Sequence, residues 1–216
     1  MLSAPEGGLD WTVVGGKLTF RGGAGDDVLT IDVENPNFVL THSGVSETVP
    51  IAGILSLELR GGAGNDEIRI DRNRGLQTQI FGEADNDLIV LAHSTHNLDR
   101  VDGPVNVLGG TGDDEIRAED GSNDQPDTYV FDAIDLTRDF FIGVVYQIDV
   151  ERVRLIAANA LNTMNVNSVE TNTEFHFENA GGADVINLGR ASNGLNSFRN
   201  NVYIDYLDVP RIVTSG

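Results

Sequence analysis

The stretch GGTGDDEIRA at residues 109–118 decides the fold, because its glycine, acidic and alternating apolar residues recur along the chain. The six-residue pattern returns at 22–27, as GGAGDD, and at 61–66, as GGAGND. Two degenerate copies of the pattern occur at 82–87, as GEADND, and at 181–184, as GGAD. Recurrence of one short pattern indicates stacked structural repeats, each of which packs on its neighbours.

The residues that flank each copy share an apolar pattern, counted from the last acidic residue of the copy, its anchor. Apolar side chains recur two and four positions after the anchor, at Leu29/Ile31, Ile68/Ile70, Ile89/Leu91, Ile116/Ala118 and Ile186/Leu188. They recur nine and seven positions before it, at Leu18/Phe20, Leu57/Leu59, Val105/Val107 and Phe175/Phe177, with Thr78/Ile80 as a weaker pair. Because side chains two positions apart share one face of a strand, each repeat is predicted to be strand, tight turn, strand.

The flanking pattern also predicts three repeats that lack the glycine turn, anchored at Glu47, Arg138 and Asn162. The anchors then stand at 27, 47, 66, 87, 114, 138, 162 and 184, in steps of 19–27 residues. This spacing predicts an all-β fold, a right-handed parallel β-helix (β-solenoid) of about eight coils, with the glycine turns along one edge. We expect one domain over residues 1–216, as a fragment of a larger secreted or surface protein.

Composition and charge narrow the classes of partner. The chain carries 34 acidic and 14 basic residues, a formal net charge of −20. Such a surface repels nucleic acid and attracts cations, so no nucleic-acid partner is expected. Cysteine is absent, which excludes disulfides and cysteine catalysis. No apolar run is long enough for a membrane span, so no membrane insertion is expected either.

The glycine turns resemble the RTX-type calcium-binding repeat, whose pattern GGxG[DN]D is matched best at 22–27, 61–66 and 109–114. The resemblance implies an extracellular or cell-surface protein with calcium held between adjacent turns by aspartate side chains and turn carbonyls. The residues that it implies as metal ligands are Asp27, Asn65, Asp66, Asn86, Asp87, Asp113 and Asp114. The chain departs from the RTX pattern, which runs in tandem on both edges, in having one motif per coil.

The position of these residues favours the middle of the chain for calcium. The repeats anchored at Asp66, Asp87 and Asp114 are consecutive and each keeps an Asn or Asp before its anchor, whereas the Glu47 repeat would separate Asp27 from them. A second interpretation of the turns stays open. Glycine, asparagine and aspartate also suit a tight corner that needs positive φ and side-chain hydrogen bonds, with no ion at all.

Two classes of function follow from these patterns. The first is a non-enzymatic structural or adhesive module, with calcium ions and cell-surface or matrix glycans or proteins as partners, and with no catalytic residue assigned. The alternative is a polysaccharide-active β-helix enzyme, a lyase or hydrolase, which needs carboxylates and a basic residue grouped on one exposed strand face. Arginines such as Arg69 and Arg117 alternate with acidic residues instead of grouping, which favours the first class.

Overall fold

The structure is a computed structural model that describes residues 1–4, 6–139, 141–147, 149–178, 181–189, 198–205 and 211–214. It is all-β apart from one short 3₁₀ helix, Leu98–Arg100, and in the described part of the chain no helix is long and apolar enough to cross a membrane. The strands are β1 (Leu2–Ser3), β2 (Trp11–Val14), β3 (Lys17–Arg21), β4 (Val28–Glu34), β5 (Asn37–His42), β6 (Val45–Pro50), β7 (Ser56–Ala63), β8 (Glu67–Ile70), β9 (Gln77–Ala84), β10 (Leu88–Leu91), β11 (Val105–Thr111), β12 (Glu115–Glu119), β13 (Thr128–Asp132), β14 (Asp135–Arg138), β15 (Phe141–Tyr146), β16 (Arg152–Ile156), β17 (Thr163–Val166), β18 (Glu174–Glu178), β19 (Val185–Leu188), β20 (Val202–Asp205) and β21 (Arg211–Thr214).

The strands form two long sheets between which the chain alternates. The larger sheet has the order β1-β2-β3-β7-β9-β11-β15-β14-β13-β17-β19-β21, and the smaller sheet has the order β20-β18-β16-β12-β10-β8-β4-β5-β6. Most neighbouring strands are parallel and in register, so that Ile68 pairs with Ile89 and Ile89 with Ile116. We call a strand of the larger sheet, the turn after it and the following strand of the smaller sheet a rung.

The apolar columns predicted from the sequence form the core between the sheets, which confirms the assignment of inward faces. Most strands that carry these columns alternate buried with partly exposed residues, as in Glu67–Ile70, although the intervening residues Thr19, Glu58 and Val90 are buried as well. The inward residues Leu29, Ile31, Ile68, Ile70, Ile89, Leu91, Ile116 and Ile186 are at most 1% exposed, and Leu188 packs against the same cluster while partly buried. β-Branched and leucine side chains therefore stack in rows along the sheets, and each row is buried by its neighbours.

The repeats predicted at Glu47 and Arg138 are wrong, because both residues lie in antiparallel strands. Glu47 belongs to β6, and β4, β5 and β6 follow one another as antiparallel neighbours in the smaller sheet. Arg138 belongs to β14, which runs antiparallel between β13 and β15 in the larger sheet. Alternation of apolar residues is the same in parallel and antiparallel strands, so the pattern gave the wrong strand directions but placed on buried faces Phe38, Leu40, Val49, Tyr129 and Phe131. Phe140 and the side chain of Ile142, which the same pattern predicts to face inward, lie outside the described part of the chain.

The anchors also occupy two edges instead of the single edge that we predicted. At the first edge, which holds Asp66, the chain passes from the larger to the smaller sheet. At the second edge, which holds Asn162 and Asp184, it passes from the smaller to the larger. The hairpins inserted before β7 and β15 lengthen two repeats, so that successive first-edge anchors lie 39, 21, 27 and 37 residues apart.

Candidate functional site

The anchor carboxylates of the first edge form a ladder of hydrogen bonds that joins five rungs. Oδ1 of Asp66 accepts the backbone N–H of Asp27 at 2.8 Å, and Oδ1 of Asp87 accepts that of Asp66 at 2.9 Å. Asp114 accepts from Asp87 at 2.8 Å, and Glu151 accepts from Asp114 at 2.8 Å. Each anchor after Asp27 therefore satisfies a backbone donor of the preceding rung that the turn would otherwise leave without a partner.

A second ladder, made by the residues just before the anchors, runs along the outside of the same turns. Oδ1 of Asp26 accepts the N–H of Asn65, Oδ1 of Asn65 accepts that of Asn86, and Oδ1 of Asn86 accepts that of Asp113, at 2.8–3.1 Å. Here each side chain reaches the following rung, whereas the anchors reach the preceding one. The two ladders together link each rung to both of its neighbours. In the outer ladder the accepting side chain is either asparagine or aspartate.

The first glycine of each turn leaves the room that the anchor carboxylate occupies. A Cβ atom on Gly82 would lie 2.3 Å from Oδ2 of Asp87 and 2.4 Å from the carbonyl oxygen of Gly109 in the next rung. A Cβ atom on Gly61 or Gly109 would meet its own anchor at 2.4 Å. The glycine is therefore required by close packing of backbone and carboxylate between rungs, a role distinct from adopting positive φ.

Burial makes the middle of the inner ladder unfavourable for negative charge. Asp66, Asp87 and Asp114 are at most 3% exposed. Burial first, and then the carboxylates of Asp114 and Asp66, raise the pKa of Asp87 to about 7, against the lowering effect of the backbone hydrogen bond that it accepts. Burial, followed by the nearby carboxylates of Glu151 and Asp149, raises the pKa of Asp114 to about 6. The pKa of Asp66 is raised by burial in the same way.

The second oxygen of these carboxylates has a distinctive environment. Within the described part of the chain, the buried Oδ2 atoms of Asp66, Asp87 and Asp114 have no hydrogen-bond partner. On the second edge, the equivalent position is filled by Asn162, whose Oδ1 accepts the N–H of Asp127 and whose Nδ2 donates to the carbonyls of residues 158 and 160. An amide thus supplies protons at Asn162, whereas Asp184, the next anchor on the second edge, has an Oδ2 without a partner among the described residues, as the first-edge aspartates do.

The first-edge ladder has ends that the sequence did not reveal. Nε2 of His42 lies 2.7 Å from Oδ1 of Asp27, so the inserted hairpin covers the first carboxylate of the ladder. Burial alone would raise the pKa of Asp27, but hydrogen bonds from His42 and from the backbone of Gly23 outweigh it and the pKa is lowered. Glu151 continues the ladder beyond Asp114 although its turn lacks glycine. The signal for Glu151 was its position directly before a strand, as for every anchor.

The structure brings together all seven residues that the sequence predicts as metal ligands, in two roles. Asp27, Asp66, Asp87 and Asp114 lie in the inner ladder, whereas Asn65, Asn86 and Asp113 lie in the outer one. The prediction that another repeat separates Asp27 from Asp66 is wrong, since their rungs are neighbours. Among the described residues, no group of three or more His, Cys, Asp or Glu side chains is arranged to hold a metal ion by itself.

Comparisons with known proteins do not assign a function to this chain. No model of a known protein family, no curated protein and no solved structure matches the chain. The two ladders and the surrounding sheets are therefore the basis on which a function is inferred.

Proposed function

We propose that this chain is a non-enzymatic structural or adhesive module of an extracellular or cell-surface protein, built as a right-handed parallel β-helix. The observation that carries the proposal is the continuous inner ladder from Asp27 to Glu151, which ties successive rungs into one stack. Two long, mostly parallel sheets with a shared apolar core support the same view. Right-handedness follows from the general preference of parallel crossover connections.

Calcium is the cation that we propose for the first edge. The donor set fits a hard cation, because the available ligands are carboxylate, amide and backbone carbonyl oxygens. The unpartnered Oδ2 atoms of Asp66, Asp87 and Asp114 support the fit, since a buried carboxylate oxygen needs a proton, a donor or a cation. Because no three carboxylates of the described residues are arranged to hold one ion, carbonyl oxygens and water would have to complete the coordination. A bound cation would neutralise buried charge and link neighbouring rungs.

A calcium titration followed by thermal unfolding tests this proposal. Calcium that binds the folded chain alone stabilises it by about 2.7 kcal/mol at a hundredfold excess over its dissociation constant. Magnesium should stabilise less, because it requires octahedral geometry and retains its water. The double variant Asp87→Ala/Asp114→Ala should lose most of the calcium effect.

Asp184→Ala is the matched control for that double variant. Asp184 is also fully buried, accepts a backbone N–H from Asn162 at 2.7 Å and has an Oδ2 without a partner among the described residues, but it lies on the second edge and stacks on the amide of Asn162 instead of on a second anchor carboxylate. Its replacement should lower the unfolding temperature and leave the calcium increment intact. An unfolding temperature that does not respond to millimolar calcium, or that responds equally to magnesium, would refute the calcium site.

A further inference from the structure

An open groove of about 530 Å³ lies on the outward face of the larger sheet, beside the first edge. Its floor is formed by the paired glycines of two successive turns, 22–23 and 61–62, and its walls by Arg21, Glu58, Arg60 and Glu83. Open space lies beside Gly23, where a Cβ atom would meet its nearest neighbour at 3.6 Å, whereas Cβ atoms on Gly22, Gly61 and Gly62 would meet protein atoms within 2.4 Å. The size falls in the range of about 300–1,000 Å³ that is usual for small-ligand sites.

The central arginine of the groove is held rigidly. Nε of Arg60 donates to Glu58 at 2.9 Å, and one of its terminal nitrogens donates to Glu83 at 2.5 Å. The guanidinium also lies 4.2 Å from the ring centroid of Phe81, in cation–π contact. Glu58 is held in turn by Lys17, at 2.5 Å. These contacts fix the positions of a donor and two acceptors before any ligand arrives, which reduces the entropic cost of binding.

Arg21 offers the donors that the groove does not already use. It pairs in register with Arg60 on the neighbouring strand. Its guanidinium makes one long contact, of 3.4 Å, to Asp10, a side chain that is 61% exposed. An arginine carries five N–H donors, so most of its capacity faces the groove and solvent.

The charges and shape of the groove select the class of ligand. Two guanidinium groups face two carboxylates, so the walls are balanced in charge, and the net charge of −20 on the chain disfavours a polyanion. The lining offers no apolar pocket for a peptide side chain. Adjacent donors and acceptors suit vicinal hydroxyl groups, each of which both donates and accepts. We propose that this groove binds a neutral saccharide segment, which rests on the proposed adhesive function and gives it a ligand class.

The electrostatics of Glu58 favour a role as a hydrogen-bond acceptor over a role as a catalytic acid. Burial by itself would raise the pKa of Glu58, but the hydrogen bonds from Lys17 and Arg60 outweigh burial and the pKa is lowered. A glycosidase needs one carboxylic acid whose pKa is raised, so that it carries a proton to the leaving oxygen. Glu58 is held in the opposite state, as a permanent acceptor.

Isothermal titration of the whole chain with neutral hexasaccharides of different linkage (maltohexaose, cellohexaose, xylohexaose and mannohexaose), and with hexagalacturonate as the anionic comparison, tests the proposal. At least one neutral sugar should bind. Arg21→Gln should weaken that binding by about tenfold or more, because it removes charged donors. Gly23→Leu should do the same by filling the floor, since its Cβ would meet Asp27 Oδ2 at an unstrained 3.6 Å.

Arg72→Gln is the control, because Arg72 is 40% exposed, close to the 37% of Arg21, and makes a similarly long contact to Asp32 elsewhere. It should bind sugar as the wild type does, and unfolding temperatures should show that all variants are folded. Failure of every neutral sugar to bind, preference for hexagalacturonate, or unchanged binding by both groove variants would overturn the proposal. The rise in unfolding temperature that calcium causes should be measured separately for the same variants. It tests the calcium proposal independently of sugar binding.

Discussion

At the scale of single residues, the pairing of a glycine with an aspartate five positions later accounts for the repeated motif. Gly82 and Asp87 illustrate it, because the carboxylate occupies the space that a side chain on the glycine would need. The aspartate then reaches the N–H of the preceding rung from this protected position. Neither residue achieves the contact alone, so the motif is a unit of packing and hydrogen bonding between rungs.

This pairing predicts that alanine substitutions at the first and second positions of the motif will differ in their effect on stability. Gly82→Ala should destabilise the chain by about 1–3 kcal/mol, because the new methyl group overlaps Asp87 Oδ2 and a backbone carbonyl. Gly23→Ala should change stability by about 0.5 kcal/mol or less, because its nearest neighbour is Asp27 Oδ2 at 3.6 Å. Urea unfolding of both variants provides the comparison. Equal losses would show that the carboxylate does not pack against the first glycine.

The raised pKa values of the ladder predict acid stabilisation. Asp87 has a folded-state pKa of about 7 against an ordinary value of 3.8, so the folded chain holds this proton more tightly than the unfolded chain. The resulting stability is fully present below pH 3.8 and is lost progressively as the pH rises from there through 7. In EDTA, the unfolding temperature should therefore be higher at pH 5 than at pH 8.

Asp87→Asn should reduce that pH dependence and raise the unfolding temperature at pH 8, since Asn162 shows that an amide fits an anchor position. Asp113→Asn removes a charge from the exposed outer ladder and is the matched control for the general effect of net charge. A pH profile that both variants alter equally would mean that surface repulsion, and not the buried carboxylate, governs the response.

At the scale of strands, the inward columns were predictable and the strand directions were not. The sequence placed Phe38, Leu40 and Val49 on an inner face, and all three are fully buried. It did not show that they belong to a hairpin, because alternation carries no direction. The missed signals were the short connections, two residues between β4 and β5 and the pair Ser43-Gly44 between β5 and β6, which favour hairpins.

The two faces of one strand should respond very differently to truncation. Ile116→Ala should cost about 2–5 kcal/mol, because Ile116 is fully buried and pairs with Ile89 and Val153 in the same row. Arg117→Ala, one residue later on the outward face, should cost less than about 1 kcal/mol, since its partner Glu115 keeps the arginines of the next strand. Denaturant unfolding of both variants checks this, and equal costs would contradict the assignment of faces.

At the scale of the molecule, the sequence predicted which residues belong to the candidate site, but it did not predict how they are arranged. All seven proposed ligands lie at the first edge because the glycine motif marks a turn, and turns in parallel register stack. The sequence could not reveal that His42 and Glu151 end the ladder, because their positions follow from which rungs are neighbours. The groove was missed for the same reason: Arg21, Arg60 and Glu83 come from three strands that only the pairing brings together.

In the larger sheet β3 pairs with β7, because β4, β5 and β6 between them belong to the smaller sheet, where β5 and β6 follow β4 as antiparallel strands. Lys17 then lies beside Ser56, whereas regular 20-residue repeats would place it beside Asn37. Neighbouring parallel strands are about 4.8 Å apart, within the Cα separation of about 4.4–6.8 Å that a disulfide spans. The chain has no cysteine, so introduced thiols can be counted without interference.

The pairing of β3 with β7 can therefore be tested with two double-cysteine variants, Lys17→Cys/Ser56→Cys and Lys17→Cys/Asn37→Cys. The measurement is the number of free thiols that remain after mild oxidation. We predict that the first pair closes an intramolecular disulfide and loses its free thiols, while the second pair keeps them. Closure of the second pair in preference to the first would contradict the pairing of β3 with β7, because it would place the segment 37–50 beside β3 as a regular coil of the β-helix.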